Sequence, residues 1–216
     1  MIPDQEYINL ITDKFIIPTR FHNREMFPGD WNRYKQAIEM LDKVDLGLDE
    51  DSKVLDLGSP LPFTTYSLNL KYNSKIWCKD ISINQSTTIG DVRLEYFNLC
   101  MENLGVQEWD FINFAEVLEH LPCNMFLVRE KVISALKDNK YMLISYPLGG
   151  RNASMSNYGK DLLNENWFTT HSHLREFTEE LAKLFISNLE IVDVQKVIPP
   201  TNPDGSLQIL YRKEFI

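Results

Sequence analysis

Between residues 53 and 147, short apolar runs alternate with stretches of helical periodicity, and this alternation narrows the possible folds more than any other feature. KVLDLG, SKIWCKD, VRLEYFNL, WDFINFAEV and KYMLISYP read as strands. PFTTYSLNLKY and MFLVREKVISALK read as helices, the second with Phe126, Val128, Val132, Ile133 and Leu136 towards one side. KVLDLG is almost continuously apolar, as a strand buried on both faces should be. Strands alternating with helices imply a parallel sheet covered on both faces. Before the first strand, WNRYKQAIEMLDKV carries Tyr34, Ile38, Leu41 and Val44 at helical spacing. After the fifth, residues 147–172 are rich in Gly, Asn and Ser and read as a lid or acceptor loop. REFTEELAKLF reads as a helix. LEIVDVQKV and SLQILYRKE alternate strongly around PPTNPDG, which predicts a closing hairpin. The 216 residues fit one domain, 1–216, with an N-terminal helical cap segment at 1–45.

Composition restricts the function. The formal net charge of −9 argues against broad contact with nucleic acid or an anionic membrane, since both need a basic footprint. The opening MIPDQEYINLITDKF has no basic segment ahead of an apolar one, so no signal peptide is expected. Cys78, Cys100 and Cys123 are widely spaced; the expectation is three reduced thiols in a cytoplasmic protein, with neither a disulfide framework nor a zinc motif.

In open parallel sheets, ligands bind beyond the carboxyl ends of the strands. Those positions hold Gly58-Ser59-Pro60, Asp80, Asn98, Ala115-Glu116 and Tyr146-Pro147. Asp80 follows Gly58 by the interval at which an acidic residue accepts hydrogen bonds from ribose hydroxyls. A carboxylate suits that task because it accepts at two oxygens and donates at none. Pro60 and Pro62 stand where a nucleotide-binding turn carries more glycine. Proline fixes φ near −65° and lacks an N–H, so the helix after the turn is expected to start at Pro62 with Leu61 as its cap. A dinucleotide pyrophosphate needs several backbone donors there, which counts against NAD.

VLDLGSPLPFT, WCKDIS, YFNLCMENL, WDFINFAEVLEHLP, LISYP and HLREFTEEL, within about residues 40–195, resemble class I S-adenosylmethionine-dependent methyltransferases of the small-molecule type. EVLEHLP, directly after the fourth strand, is the most specific of these stretches. The resemblance implies a Rossmann-like three-layer α/β sandwich whose seven-stranded, mostly parallel sheet ends in an antiparallel C-terminal hairpin. It implies S-adenosylmethionine as cofactor and S-adenosylhomocysteine as product. Asp56 and Gly58 would hold the methionine part and Asp80 the ribose hydroxyls. Asn98 would face the adenine amino group, with the backbone at Leu99 bordering the ring. Ala115 and Glu116 would lie beside the methionine end, with His120 near the transferred methyl.

Methyl transfer is an in-line displacement, and a hydroxyl acceptor needs a base. His120 and then His173 are the expected bases, with Glu119 as an alternative or as the partner that orients an imidazole. No metal site is expected. The expected acceptor is a small molecule, anionic or sugar-containing, met by aromatics of the N-terminal segment and by arginines such as Arg33. The competing readings are a methyltransferase-like partner protein without catalysis and, less favoured, a NAD enzyme.

Overall fold

The structure is a computed structural model that describes residues 4–15, 27–59, 61–148, 188–198 and 205–214. Pro60, most of the expected 147–172 loop, the REFTEELAKLF helix and His173 lie outside the described residues.

Two helices, α1 (Asp4–Lys14) and α2 (Phe27–Asp42), precede β1 (Lys53–Leu57). Then come α3 (Tyr66–Tyr72), β2 (Lys75–Asp80), β3 (Thr87–Ile89), β4 (Val92–Tyr96) and β5 (Trp109–Ala115). A 3₁₀ turn (Leu118–His120), α4 (Met125–Ala135), β6 (Leu136–Pro147), β7 (Glu190–Val197) and β8 (Ser206–Arg212) follow among the described residues. The described strands form one sheet in the order β3-β4-β2-β1-β5-β6-β8-β7. The pairs β4-β2, β2-β1, β1-β5 and β5-β6 are parallel. β8 runs antiparallel to both β6 and β7, and its pairing with β7 is the closing hairpin that the C-terminal pattern predicts.

β1 is central, and Val54, Leu55, Asp56 and Leu57 are all buried. Because side chains alternate along a strand, the two faces feed separate cores. Leu55, Leu57, Ile112, Phe114, Met142 and Ile144 pack with Val128, Val132 and Ile133 of α4. Val54, Ile76, Phe111 and Leu143 pack with Ile11 of α1, Ile38 and Leu41 of α2, and Leu68 of α3. The result is the three-layer α/β sandwich that the strand–helix alternation predicts.

Three details differ from the sequence expectation. The sheet has eight described strands rather than seven. The extra one, β3, pairs antiparallel with β4 and turns back at Gly90, where φ is +60°. Its three residues, Thr-Thr-Ile, are too short to show an alternation. Second, the expected helical cap segment carries a further helix, α1, ahead of α2, with Tyr7 and Ile11 buried along it and Phe15 buried just past its end. Third, α3 begins at Tyr66 rather than Pro62. Phe63 N–H bonds back to Leu61 O at 2.9 Å, and Tyr7 of α1 donates its hydroxyl to Phe63 O at 2.8 Å. Residues 61–63 are thus folded into a tight turn held from outside, and only the Pro62 carbonyl takes part in helix-type bonding, to Tyr66 N–H.

Candidate active site

The carboxyl ends of β4, β2, β1, β5 and β6 line up along one edge, and backbone hydrogen bonds fix the loops there. Phe97 N–H bonds to Asp80 O at 3.2 Å, which sets Asn98 beside the end of β2. Gly58 N–H bonds to Lys79 O at 2.8 Å, which sets the first turn against Asp80. Glu116 N–H bonds to Ser145 O at 3.1 Å. Read along the edge, the order is Asn98 and Leu99, Asp80, Gly58, Ala115 and Glu116, then Ser145. The row therefore gathers the residues expected for adenine, ribose and methionine in that spatial sequence.

Gly58 is required twice over. Its φ is +76°, a region that residues with a Cβ avoid. A Cβ there would lie 2.4 Å from Val117 Cγ2 and 2.7 Å from Cγ1. Val117 belongs to EVLEHLP, so the most specific stretch of the sequence seats itself on the glycine of the first turn. Glu116 also has positive φ, +54°, and this reverses the chain as it leaves β5.

The acidic groups differ in their surroundings. Asp56 is buried beneath the row. Thr65 Oγ1 donates to its Oδ2 at 2.7 Å, and Asn113 Nδ2 donates to its Oδ1 at 2.8 Å. Burial pushes its pKa up to about 7 against the pull of those two bonds, and the charge of Asp80 adds to the rise. Thr65 spends its hydroxyl on Asp56 and so does not cap α3. Asp80 is also shifted up by burial, opposed by Ser82, whose backbone N–H donates to Oδ1 at 2.6 Å. Asn98 Oδ1 accepts from Cys100 N–H at 3.1 Å, while its carbonyl accepts from Met101 and Glu102 N–H. The side chain expected at the adenine end thus also builds the turn that carries it.

Glu116 joins the sheet edge to the N-terminal helices. Arg33 of α2 pairs with its Oε2 at 2.8 Å, and Ser145 Oγ donates to its Oε1 at 2.8 Å. Gln208 Nε2 of β8 donates to Arg33 O at 2.9 Å. The arginine expected to meet an anionic acceptor is therefore engaged by a carboxylate at the strand ends. Glu119 and His120 follow in the 3₁₀ turn, with His120 Nε2 3.5 Å from Glu119 Oε1. Glu119 is fully buried and neither carboxyl oxygen accepts a hydrogen bond. Burial first, and the Glu116 charge second, hold its carboxyl well above the usual range. His120 is partly open to solvent. Thr65, Asn113 and Ser145 were not singled out from the sequence; each contacts a singled-out carboxylate, Asn113 and Ser145 through the strand register and Thr65 through the path of the turn between β1 and α3.

The cysteines correct the sequence expectation. Cys100 and Cys123 form a disulfide with a Cα–Cα distance of 5.7 Å. Only Cys78, buried in β2, is a free thiol, and burial holds its pKa well above the ordinary value. The fold brings together the turn after β4 and the link before α4, which no sequence spacing reveals. The case for a cytoplasmic setting drawn from reduced cysteines therefore loses its premise. No helix among the described residues is long and apolar enough to cross a membrane.

No protein-family model matches this chain, and no curated protein matches it. Solved structures do. One is 1,6-didemethyltoxoflavin-N1-methyltransferase from Burkholderia thailandensis, solved with 1,6-didemethyltoxoflavin and S-adenosylhomocysteine. It is 16% identical with a TM-score of 0.63, over 98% of this chain and 87% of that chain. The N-methyltransferase NodS from Bradyrhizobium japonicum is 14% identical with a TM-score of 0.59, over 87% and 98%. An S-adenosylmethionine-dependent methyltransferase from Methanosarcina mazei is 18% identical with a TM-score of 0.55, over 78% and 95%. The chain has the class I methyltransferase fold. Within that fold the row from Asn98 to Glu116 occupies the carboxyl edge of the parallel strands, where α/β sheets of this kind take their ligands.

Proposed function

We propose that the whole chain acts as one S-adenosylmethionine-dependent methyltransferase domain that methylates a small molecule. The observation that carries this reading is the edge row itself: Asp80 at the end of β2, beside a left-handed Gly58 turn on which Val117 rests. Asp80 suits the ribose hydroxyls, Asn98 and Leu99 the adenine, and Gly58, Ala115 and Glu116 the methionine end. Asp56 supports the turn from below through Thr65. His120 stands nearest to the role of base, with Glu119 behind it. His173 remains a second candidate. The Arg33–Glu116 pair links the N-terminal cap to the methionine end, so the cap and the reactive end of the site are positioned together.

The proposed acceptor is a hydroxyl of a sugar, nucleotide-linked sugar or glycan precursor; the described N-terminal rings hold the cap to the sheet, with Tyr7 and Phe15 buried and Tyr34 stacked on Phe63. Nitrogen is the competing acceptor atom, since two of the similar solved structures are named as N-methyltransferases. Calorimetric titration with S-adenosylmethionine, S-adenosylhomocysteine and NAD tests the cofactor. Saturable binding of the first two alone supports an enzyme, binding of none supports a non-catalytic partner protein, and binding of NAD alone overturns the reading. Asp80→Ala should weaken S-adenosylhomocysteine binding roughly 10- to 100-fold, the worth of charge-assisted hydrogen bonds. His120→Ala should abolish turnover while leaving that affinity nearly intact. Transfer of radiolabelled methyl to a panel of sugars and amines then separates oxygen from nitrogen.

A further inference from the structure

The disulfide joins two segments that leave non-adjacent strands. Cys100 lies in the turn after β4, two residues beyond Asn98, and Cys123 lies three residues beyond His120. β2 and β1 stand between β4 and β5, so the parent strands are roughly 14 Å apart at ordinary strand spacing. The two segments converge on the α4 face of the sheet, where Phe97, Leu99, Val117 and Leu118 share one core with Leu57, and Cys123 packs against it. The bridge is thus a strap across the ends of the strands that carry Asp80 and Gly58.

The two anchors are held unequally. The turn at 98–102 has its own supports: the Asn98 bonds and Lys131 of α4, whose Nζ donates to Leu99 O at 3.1 Å, Cys100 O at 3.3 Å and Glu102 O at 3.0 Å. The link at 121–124 is irregular, with Leu121 in an extended conformation. It follows the turn that holds Glu119 and His120. Both cysteines are only partly buried, within reach of a small thiol or disulfide.

We infer that Cys100 and Cys123 form a reversible thiol–disulfide switch that clamps the adenine side of the site to the Leu118–Asn124 segment. This rests on the cofactor reading above. Closure proceeds by exchange with a low-molecular-weight disulfide such as oxidised glutathione. One cysteine thiolate attacks it and expels one glutathione thiolate; the second cysteine attacks the mixed disulfide and expels the other. Two protein thiols are oxidised, one glutathione disulfide is reduced to two glutathiones, and the cysteine protons pass through solvent to the departing thiolates. Closed, the strap presents a pre-ordered site. Open, the cofactor must order the link as it binds, and fixing even one residue costs about a tenfold loss of affinity.

The test uses the full chain in buffers of defined reduced and oxidised glutathione. Thiols are counted with a chromogenic disulfide after an acid quench and unfolding in urea, so that buried Cys78 reacts too, and S-adenosylhomocysteine is titrated calorimetrically on the folded protein in each state. The expected result is one thiol in the oxidised protein and three in the reduced protein, with affinity about tenfold weaker when reduced. The double variant Cys100→Ser/Cys123→Ser should bind like the reduced protein in both buffers, and Cys78→Ser should still switch. Three thiols in oxidised glutathione, or affinities within twofold between the two states, overturn the switch. Absence of S-adenosylhomocysteine binding in both states with the bond formed overturns the cofactor reading and the switch with it. Absence of the bond with binding intact removes the switch alone.

Discussion

Replacing Gly58 with alanine tests the seat between the first turn and EVLEHLP. The added Cβ meets Val117 Cγ2 at 2.4 Å and Cγ1 at 2.7 Å, and the backbone sits at φ +76°. The positive φ costs a non-glycine residue about 1–2 kcal/mol. Overpacking against Val117 adds about 1–3 kcal/mol, because Val117 is itself buried in the α4-side core. Gly58→Ala should therefore destabilise the protein by about 2–5 kcal/mol, a fall of roughly 5–15 °C in Tm for a chain of this size. Val117→Ala alone removes two methyl groups and should cost about 1.5–3 kcal/mol. The double variant separates the two causes. Without the Cγ atoms, the nearest part of the side chain is Val117 Cβ at 3.2 Å, and only the backbone cost remains in full. Urea unfolding of the four proteins should give a double variant less destabilised than the sum of the singles by about 1–3 kcal/mol. Additivity within about 0.5 kcal/mol, the behaviour of independent sites, would refute the contact.

Two more outcomes follow from the same edge. Asp56 has a folded pKa of about 7 against 3.8 for an ordinary aspartate. Between those values the unfolded chain has lost the proton and the folded chain keeps it. Stability therefore falls as pH rises from about 4 to 7, by roughly 4 kcal/mol in full, and is level above that. Asp56→Asn removes this contribution. The stability difference between wild type and variant, measured by urea unfolding at pH 4.5 and 7.5, should shift against the wild type by a few kcal/mol; a constant difference sinks the assignment. Arg33→Ala leaves the Glu116 carboxylate, 13% exposed, without its counter-charge. The expected loss is about 2–3 kcal/mol, less than for a fully buried pair because water still reaches the site. An unchanged urea midpoint would mean that the cap helix is held by apolar packing alone.

The parallel strands were legible because burial on both faces writes itself as an apolar run, and KVLDLG and WDFINFAEV are such runs. Their carboxyl ends were legible for the same reason: once a strand is placed, the residue after it is placed too. Asp80, Asn98 and Glu116 fall into a row on strand placement alone. The seat of Val117 on Gly58 was not legible, since it depends on the chain reversal at Glu116, a residue type that seldom takes positive φ. Nor was the company of Asp56, because Asn113 meets it only through the β1–β5 register. The stripe of Tyr7, Ile11 and Phe15 was present at a four-residue spacing but stood among too many other aromatics to be isolated. The start of α3 was misplaced because local proline rules yield to a tertiary bond, the one from Tyr7 to Phe63. The disulfide shows the general limit: pairing is set by where loops end up, and loops carry little period to read.

The position of β8 has a consequence for how the molecule is made. β8 is synthesised after β7, yet it lies between β6 and β7 and hydrogen-bonds to both. On the ribosome, the chain can assemble the parallel strands up to β6 while Tyr141–Pro147 still present an open edge. β7 emerges next with no neighbour to receive it. Only when Ser206–Arg212 arrive does one strand close both gaps at once. A nascent chain paused between the two strands is thus a sheet with a sticky border, the state from which edge-to-edge association starts.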